Sequence, residues 1–251
     1  MNTQKVRFWI VVGLVFVLTG TLVLAGCAPQ YKVGALRNES RSVDVGNAEA
    51  VRVAINQGAG DLKLAGGAEK LLEADFNYNV ARLQPQVKYT KGTLVVQQPG
   101  SEGLPALPGI TGFRNDWDLR LNDEVPMDLS VDMGGGTSDL QLAGLSLTGL
   151  DISLGAGTST VDLSGDWKRD LDVTIDSGAA GVTVRLPENV GVRVRIGSGP
   201  HMVDATGMTK DGEFYTNAAY GETDVTLNVV MEAGIGWINL KVEEEAAAAP
   251  D

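Results

Sequence analysis

The sequence is poor in the residues that most often build catalytic and metal sites. Its 251 residues include one cysteine and one histidine. A single cysteine excludes an intramolecular disulfide, and without a second histidine or a free thiol we expect neither a zinc site nor a histidine-based catalytic triad. Cations are also in the minority, because 20 Lys and Arg stand against 32 Asp and Glu and give a net charge of −12. This acidic balance argues against nucleic acid as a partner.

The sequence has one long apolar run, and it lies at the N-terminus. Lys5 and Arg7 precede an almost unbroken apolar stretch over residues 8–24, which is the order of an export signal. Directly after it comes a lipobox-like sequence made of Leu24, Ala25, Gly26 and Cys27. In the bacterial lipobox that it resembles, the cysteine is lipidated and becomes the new N-terminus, so residues 1–26 are predicted to be a signal peptide and membrane lipid a partner through Cys27. The alternative is an uncleaved transmembrane helix; both place the chain at the cell membrane, on its extracytoplasmic face.

After residue 27 the sequence is typical of an all-β protein. Apolar and polar residues alternate over five or six positions and are then interrupted by Gly, Asn or Pro, which is the pattern of β-strands. No segment keeps a helical period over three turns. We predict a tether over 27–45, a β-rich domain over 46–242 with a long loop at 98–115 and an insertion at 210–220, and a disordered tail over 243–251.

An internal repeat of 21 residues indicates how the strands are arranged. Its apolar positions include Leu129, Leu150, Leu171 and Val192 in one strand and Leu140, Val161, Val182 and Val203 in the next. Such a unit buries its apolar edge by stacking on its neighbour at a strand spacing of about 4.8 Å. The repeat predicts a single-stranded β-solenoid, β-helix-like, with 21-residue coils, preceded by an N-terminal lipoprotein signal helix and closed by a weaker copy over 227–242. A β-sandwich is the alternative.

A family resemblance supports the solenoid. The sequence WDLRLN at 117–122 and VPMDL at 125–129, followed by the GGG and GAG turns, resembles the toast-rack β-solenoid domains of bacterial envelope proteins. The resemblance covers roughly residues 46–242. It implies a solenoid in the cell envelope, and since some members are membrane regulators of the envelope stress response, it implies a link to that response.

The outward-facing positions of the repeat are where a binding or catalytic surface is expected. The 21-residue step places Asp151, Asp172 and Arg193 in one outward column, with Arg195 in the next. Trp167 lies in a charged turn and is a further candidate for surface interaction. Two carboxylates on adjacent coils disfavour joint ionisation unless an arginine or a bound Ca²⁺ compensates. The simpler interpretation is a solvated face with an Asp–Arg ladder.

The sequence therefore favours a non-enzymatic lipoprotein that presents a polar solenoid surface to an envelope protein or glycan. It predicts no cofactor and no resident metal. The alternative hypothesis is a Ca²⁺-assisted, polysaccharide-active enzyme that uses Asp151, Asp172 and Arg193.

Overall fold

The structure, a computed structural model, describes residues 32–99 and 112–243. Within these ranges the chain forms β-strands and one short 3₁₀ turn at Ala81–Leu83, so the prediction of an all-β domain is confirmed. No helix in these ranges is long and apolar enough to cross a bilayer. The predicted signal peptide, the lipobox with Cys27, most of the loop predicted at 98–115 and the tail after Glu243 lie outside the described residues.

Within residues 32–99 and 112–243, sixteen strands build the domain. They are β1 (Arg37–Val43), β2 (Val51–Gln57), β3 (Gly60–Ala65), β4 (Leu72–Tyr78), β5 (Gln86–Thr90), β6 (Thr93–Gln97), β7 (Asn115–Leu121), β8 (Met127–Gln141), β9 (Leu147–Asp162), β10 (Leu171–Pro187), β11 (Gly191–Ile196), β12 (His201–Thr206), β13 (Thr209–Asp211), β14 (Phe214–Thr216), β15 (Thr226–Ala233) and β16 (Gly236–Glu243). β1 falls inside the predicted tether and pairs with β4. The tether prediction is therefore wrong at least for residues 37–43, which are part of the sheet.

Three long strands, β8, β9 and β10, connect two arms of one open sheet. The first half of each long strand pairs within the first arm, whose order is β5–β6–β2–β8–β9–β10–β15–β11–β14–β13. The second half pairs within the second arm, whose order is β1–β4–β7–β3–β8–β9–β10–β16–β12. Pairing between successive coils is parallel, and antiparallel strands add to the ends. Each coil thus contributes one strand to each arm.

Glycine makes the corner between the arms possible. Gly157 in β9 has φ of +130°, which L side chains rarely adopt. A Cβ atom there would lie 1.9 Å from the carbonyl oxygen of Gly136 in the preceding coil. In β8 and β9 the GGG and GAG turns therefore permit the close approach of successive coils.

The core lies on the inner faces of both arms. Leu129, Leu150 and Val173 are paired neighbours on β8, β9 and β10, and each is at most 1% exposed. The buried side chains of the two arms belong to one apolar cluster. Each fully buried Val or Leu side chain contributes about 1.5–3 kcal/mol, so the stacking of coils accounts for the burial that a single coil cannot achieve.

The register between coils is not uniform. β8 and β9 pair with the predicted step of 21 residues, as in Leu129 with Leu150. β9 and β10 pair with a step of 23 residues, because Leu150 lies beside Val173 and not beside Leu171. The predicted 21-residue step is wrong there. The inward positions remain inward because a shift of two residues preserves the face of a strand.

The order of the coils also differs from the order along the chain. β15 lies between β10 and β11, and β16 lies between β10 and β12. The predicted adjacency of Leu171 and Val192 is therefore wrong, and the copy over 227–242 is inserted into the stack instead of closing it. One packing feature fits this order. A Cβ atom on Gly181 of β10 would lie 2.2 Å from the indole of Trp237 on β16, so glycine leaves room for the ring.

Candidate interaction surface

The outer face of the first arm carries rows of polar side chains that run across the strands. Residues that alternate with the buried ones point to solvent. One row, which we call the arginine row, consists of Asp172 on β10, Asn228 on β15 and Arg193 on β11. Asn228 Nδ2 donates a hydrogen bond of 3.4 Å to Asp172 Oδ1. Since neighbouring strands lie about 4.8 Å apart, Asp172 and Arg193 are separated by roughly 9–10 Å.

Two aromatic rings hold the guanidinium of Arg193. Its Cζ lies 5.2 Å from the ring centre of Phe214 and 5.9 Å from that of Tyr220. The hairpin of β13 and β14 pairs antiparallel with β11 and brings Phe214 opposite Arg195. Both residues keep 37% of their surface exposed. Contacts of this kind with an arginine are worth about 0.5–1 kcal/mol at exposed sites, so the side chain is oriented before any partner arrives.

Arg193 differs from two other arginines on the same face in having no acidic partner among residues 32–99 and 112–243. Arg52 pairs with Asp128 at 3.3 Å, and Arg195 pairs with Glu232 at 3.4 Å. Among the residues that the structure describes, no carboxylate lies within 4.0 Å of the Arg193 guanidinium. The exposed pairs contribute about 0–1 kcal/mol each. Because Arg52 and Arg195 are paired, Arg193 is the arginine of this face, within the described residues, whose hydrogen-bond donors are open to a partner.

The predicted column of Asp151, Asp172 and Arg193 is not formed. Asp151 lies beside Ser130 and Thr174, because the step between β9 and β10 is 23 residues. β15 then separates Asp172 from Arg193. Within residues 32–99 and 112–243, no group of three or more His, Cys, Asp or Glu side chains is arranged to hold a metal ion. The set proposed for a Ca²⁺-assisted enzyme is therefore not assembled.

Trp167 is not a surface residue. Its side chain is 6% exposed, and its indole Nε1 donates a hydrogen bond of 2.9 Å to the carbonyl oxygen of Leu163. It packs in the core cluster, so the prediction of Trp167 as an interaction residue is wrong. The polar edge of the indole finds a backbone partner inside the loop after β9, as a buried tryptophan requires.

A second feature of this face is an acidic groove at the corner between the arms. Its volume is about 520 Å³, and its carboxylates are Asp132, Asp176 and Glu232. Ser153 completes the row, and glycines form the floor beside it. The groove thus places three carboxylates on the same face as Arg193.

Phe214 and Tyr220 were not among the residues predicted from the sequence. Both lie in the insertion predicted at 210–220, which has no 21-residue counterpart. The available signal was compositional: aromatic residues make up 6% of the chain, yet this short polar segment contains three of them. That Arg193 would contact two of these rings depends on the hairpin folding back onto β11, which no local pattern indicates.

Comparison with known proteins identifies the family. Residues 32–185 match the family model described as the N-terminal domain of toast_rack, DUF2154. The chain belongs to the toast-rack family. The match ends within β10, so the arginine row beyond Asp172 and the hairpin lie outside the part of this toast-rack chain that defines membership.

Solved structures extend the similarity. The "putative cell adhesion protein" from Clostridium sporogenes is 31% identical, with a TM-score of 0.79, and the alignment covers 83% of the toast-rack chain and all of that protein. A "putative adhesin" from Bacteroides fragilis is 10% identical over 86% of this chain and all of that one, with a TM-score of 0.24. The second similarity is too low to support an argument. A search of curated proteins found no match.

Proposed function

We propose that the chain is a non-enzymatic lipoprotein of the bacterial envelope that adheres to an envelope protein or glycan through the outer face of its first arm. The observation that carries this proposal is the 31% identity to a "putative cell adhesion protein" over that protein's whole length. The arginine row supports it, because an oriented arginine between exposed aromatic rings is the composition of energetically important interface residues.

Attachment through Cys27 supplies the location. Removal of residues 1–26 takes away two cations and no acid, so the net charge falls from −12 to −14. A chain this acidic is repelled by anionic lipid headgroups. Acyl chains on the new N-terminus would hold it instead, since each buried CH₂ contributes about 0.8 kcal/mol and more than one chain anchors stably. The link to the envelope stress response that the family resemblance implies stays a prediction.

Metabolic labelling tests the anchor. Cells that express the full chain are grown with an alkyne-bearing fatty acid, and the purified protein is assayed for label. We expect label on the wild type and none on Cys27→Ser. The control is the double variant Cys27→Ser/Ser40→Cys, which restores one thiol outside the lipobox and should also carry no label. Label on either variant, or none on the wild type, would contradict lipidation at Cys27.

The same cells test the proposed location, and the purified chain tests adhesion. A chain that is anchored on the extracytoplasmic face is cleaved by protease added to cells whose outer layers have been permeabilised, whereas a cytoplasmic marker stays intact. Purified full chain should also bind to envelope material, and a variant in which Arg193 is replaced should bind less of it. Protection of the chain together with the marker would contradict the proposed location.

A further inference from the structure

Within the part of the chain that the structure describes, the guanidinium of Arg193 is an oriented binding group with no acidic partner. The rings of Phe214 and Tyr220 hold it in place, since Arg193 Cζ lies 5.2 and 5.9 Å from their centres. An arginine in this position keeps its planar fork of N–H donors, which matches the two oxygens of a carboxylate. The rings also remove part of the water around the guanidinium, which strengthens a charge-assisted bond.

We infer that the arginine row is a subsite for an anionic saccharide in which an acidic sugar is followed by a neutral one. The carboxylate of the acidic sugar pairs with Arg193, and the next sugar lies over Asn228 and Asp172. This inference rests on the proposed function, because it names the partner class of the same outer face.

The neighbours of Arg193 favour a saccharide. Asn228 and Asp172 follow it on successive strands, at intervals of about 4.8 Å. An amide and a carboxylate together donate to and accept from sugar hydroxyl groups. Phe214 and Tyr220 are each 37% exposed and offer apolar surface to a sugar ring. A saccharide that runs across the strands meets one of these outward side chains per strand.

The charge of Asp172 sets the order of the sugars. It lies roughly two strand spacings, about 10 Å, from Arg193, and its Oδ1 accepts a hydrogen bond from the neutral amide of Asn228. A second carboxylate placed over it would be repelled. A disaccharide with an acid on both sugars is therefore expected to bind less well than one in which only the first sugar is acidic, because its second acid lies over Asn228 beside Asp172.

Binding of defined oligosaccharides to the detergent-solubilised full chain, measured by calorimetry, tests the inference. The probe is the hyaluronan disaccharide in which glucuronate is followed by N-acetylglucosamine, so that no second acid reaches Asp172. The neutral chitin disaccharide and the fully acidic polygalacturonate disaccharide are the comparisons. We expect hyaluronan to bind more tightly than either.

Variants locate the subsite. Arg193→Gln should weaken hyaluronan binding about tenfold or more, as expected for loss of a charge-assisted hydrogen bond. The matched control is Arg52→Gln on the same face, whose arginine already pairs with Asp128, and it should bind as the wild type does. Asp172→Asn should raise the affinity for polygalacturonate and leave that for hyaluronan nearly unchanged. An unchanged urea midpoint in each variant shows that the fold is retained.

Several outcomes overturn the inference. They are equal binding of the chitin and hyaluronan probes, no effect of Arg193→Gln, equal effects of Arg193→Gln and Arg52→Gln, or binding of a hexaglutamate peptide or inorganic phosphate as tight as that of hyaluronan. Failure of this subsite is distinct from failure of the proposed function. If Cys27 is lipidated and the intact chain retains envelope material while none of the three oligosaccharides binds, only the subsite is wrong.

Discussion

Replacement of Gly157 with alanine should destabilise the chain strongly, because this residue turns the corner between the two arms. Its φ of +130° is accessible to glycine and costs other residues about 1–3 kcal/mol. The new Cβ would lie 1.9 Å from the carbonyl oxygen of Gly136. That oxygen is backbone in a paired strand, so the overlap adds about 1–3 kcal/mol, as for overpacked cores. The total of about 4 kcal/mol is a large part of a usual stability of about 5–15 kcal/mol.

Urea unfolding of the full chain, followed by tryptophan fluorescence, measures this loss. Trp117 and Trp167 are 1% and 6% exposed, so their emission should shift when the core opens. With an m-value of about 2 kcal/mol per molar urea, a loss of about 4 kcal/mol lowers the midpoint by about 2 M. The control is Gly144→Ala, since a Cβ there would meet no atom within 4 Å, and it should change stability by about 0.5 kcal/mol or less.

Similar midpoints for Gly157→Ala and Gly144→Ala would refute the account of the corner. β10 shows how that result would arise. Its residue opposite Gly157 is Ala180, and Ala180 does not have a positive φ. If β9 can adopt the path that β10 takes, the methyl group would be accommodated, and glycine would not be required at this corner.

Three further predictions follow from burial and hydrogen bonding. Val173→Asp should unfold the domain because it puts an unpaired charge at a position that is 1% exposed, whereas Thr174→Asp on the outer face should be mild; circular dichroism that shows equal effects would contradict the facing. Asn217→Ala should cost about 2–4 kcal/mol in a urea titration, because the buried amide bonds the carbonyl oxygens of Pro187 and Val190 at 3.0 and 2.7 Å. Burial raises the pKa of Tyr78 above its usual value of 10.0, so stability should fall as pH rises above about 10, where the unfolded chain ionises first; an ultraviolet titration in which Tyr78→Phe leaves the highest transition unchanged would contradict this.

Whether a side chain points into the core or to solvent could be predicted from the sequence, whereas the residue beside it on the neighbouring strand could not. Alternation along a strand decides which residues are inward, and Leu129, Leu150 and Val173 are buried as their pattern indicates. The partner of Leu150 depends on the length of the loop after β9, which shifts the register by two residues. Because a shift of two keeps the same face, the pattern of Asp151 and Asp172 contained no sign of the error.

The candidate surface shows the same division. Arg193 and Arg195 could be predicted to face outward, and both do so on β11. Arg195 is paired with Glu232 on β15, which lies 37 residues further along the chain. Arg193 is held by two rings, of which Phe214 in the hairpin lies 21 residues further along (214 − 193 = 21). Trp167 was misjudged for a related reason: its charged neighbours suggested exposure, but the loop folds its indole onto the backbone of Leu163.

By itself the sequence determined that the chain is a stack of two-stranded coils with glycine corners, since alternation and a repeated Gly-rich turn leave few other ways to bury the apolar edge. Only the tertiary structure decided the order of those coils. β11 and β15 carry the same apolar pattern, and either would fit beside β10 on that pattern alone. The observed order fits in shape, because Gly181 leaves space for the indole of Trp237 on the coil that contains β15. That order in turn places Asn228 between Asp172 and Arg193 and creates the arginine row.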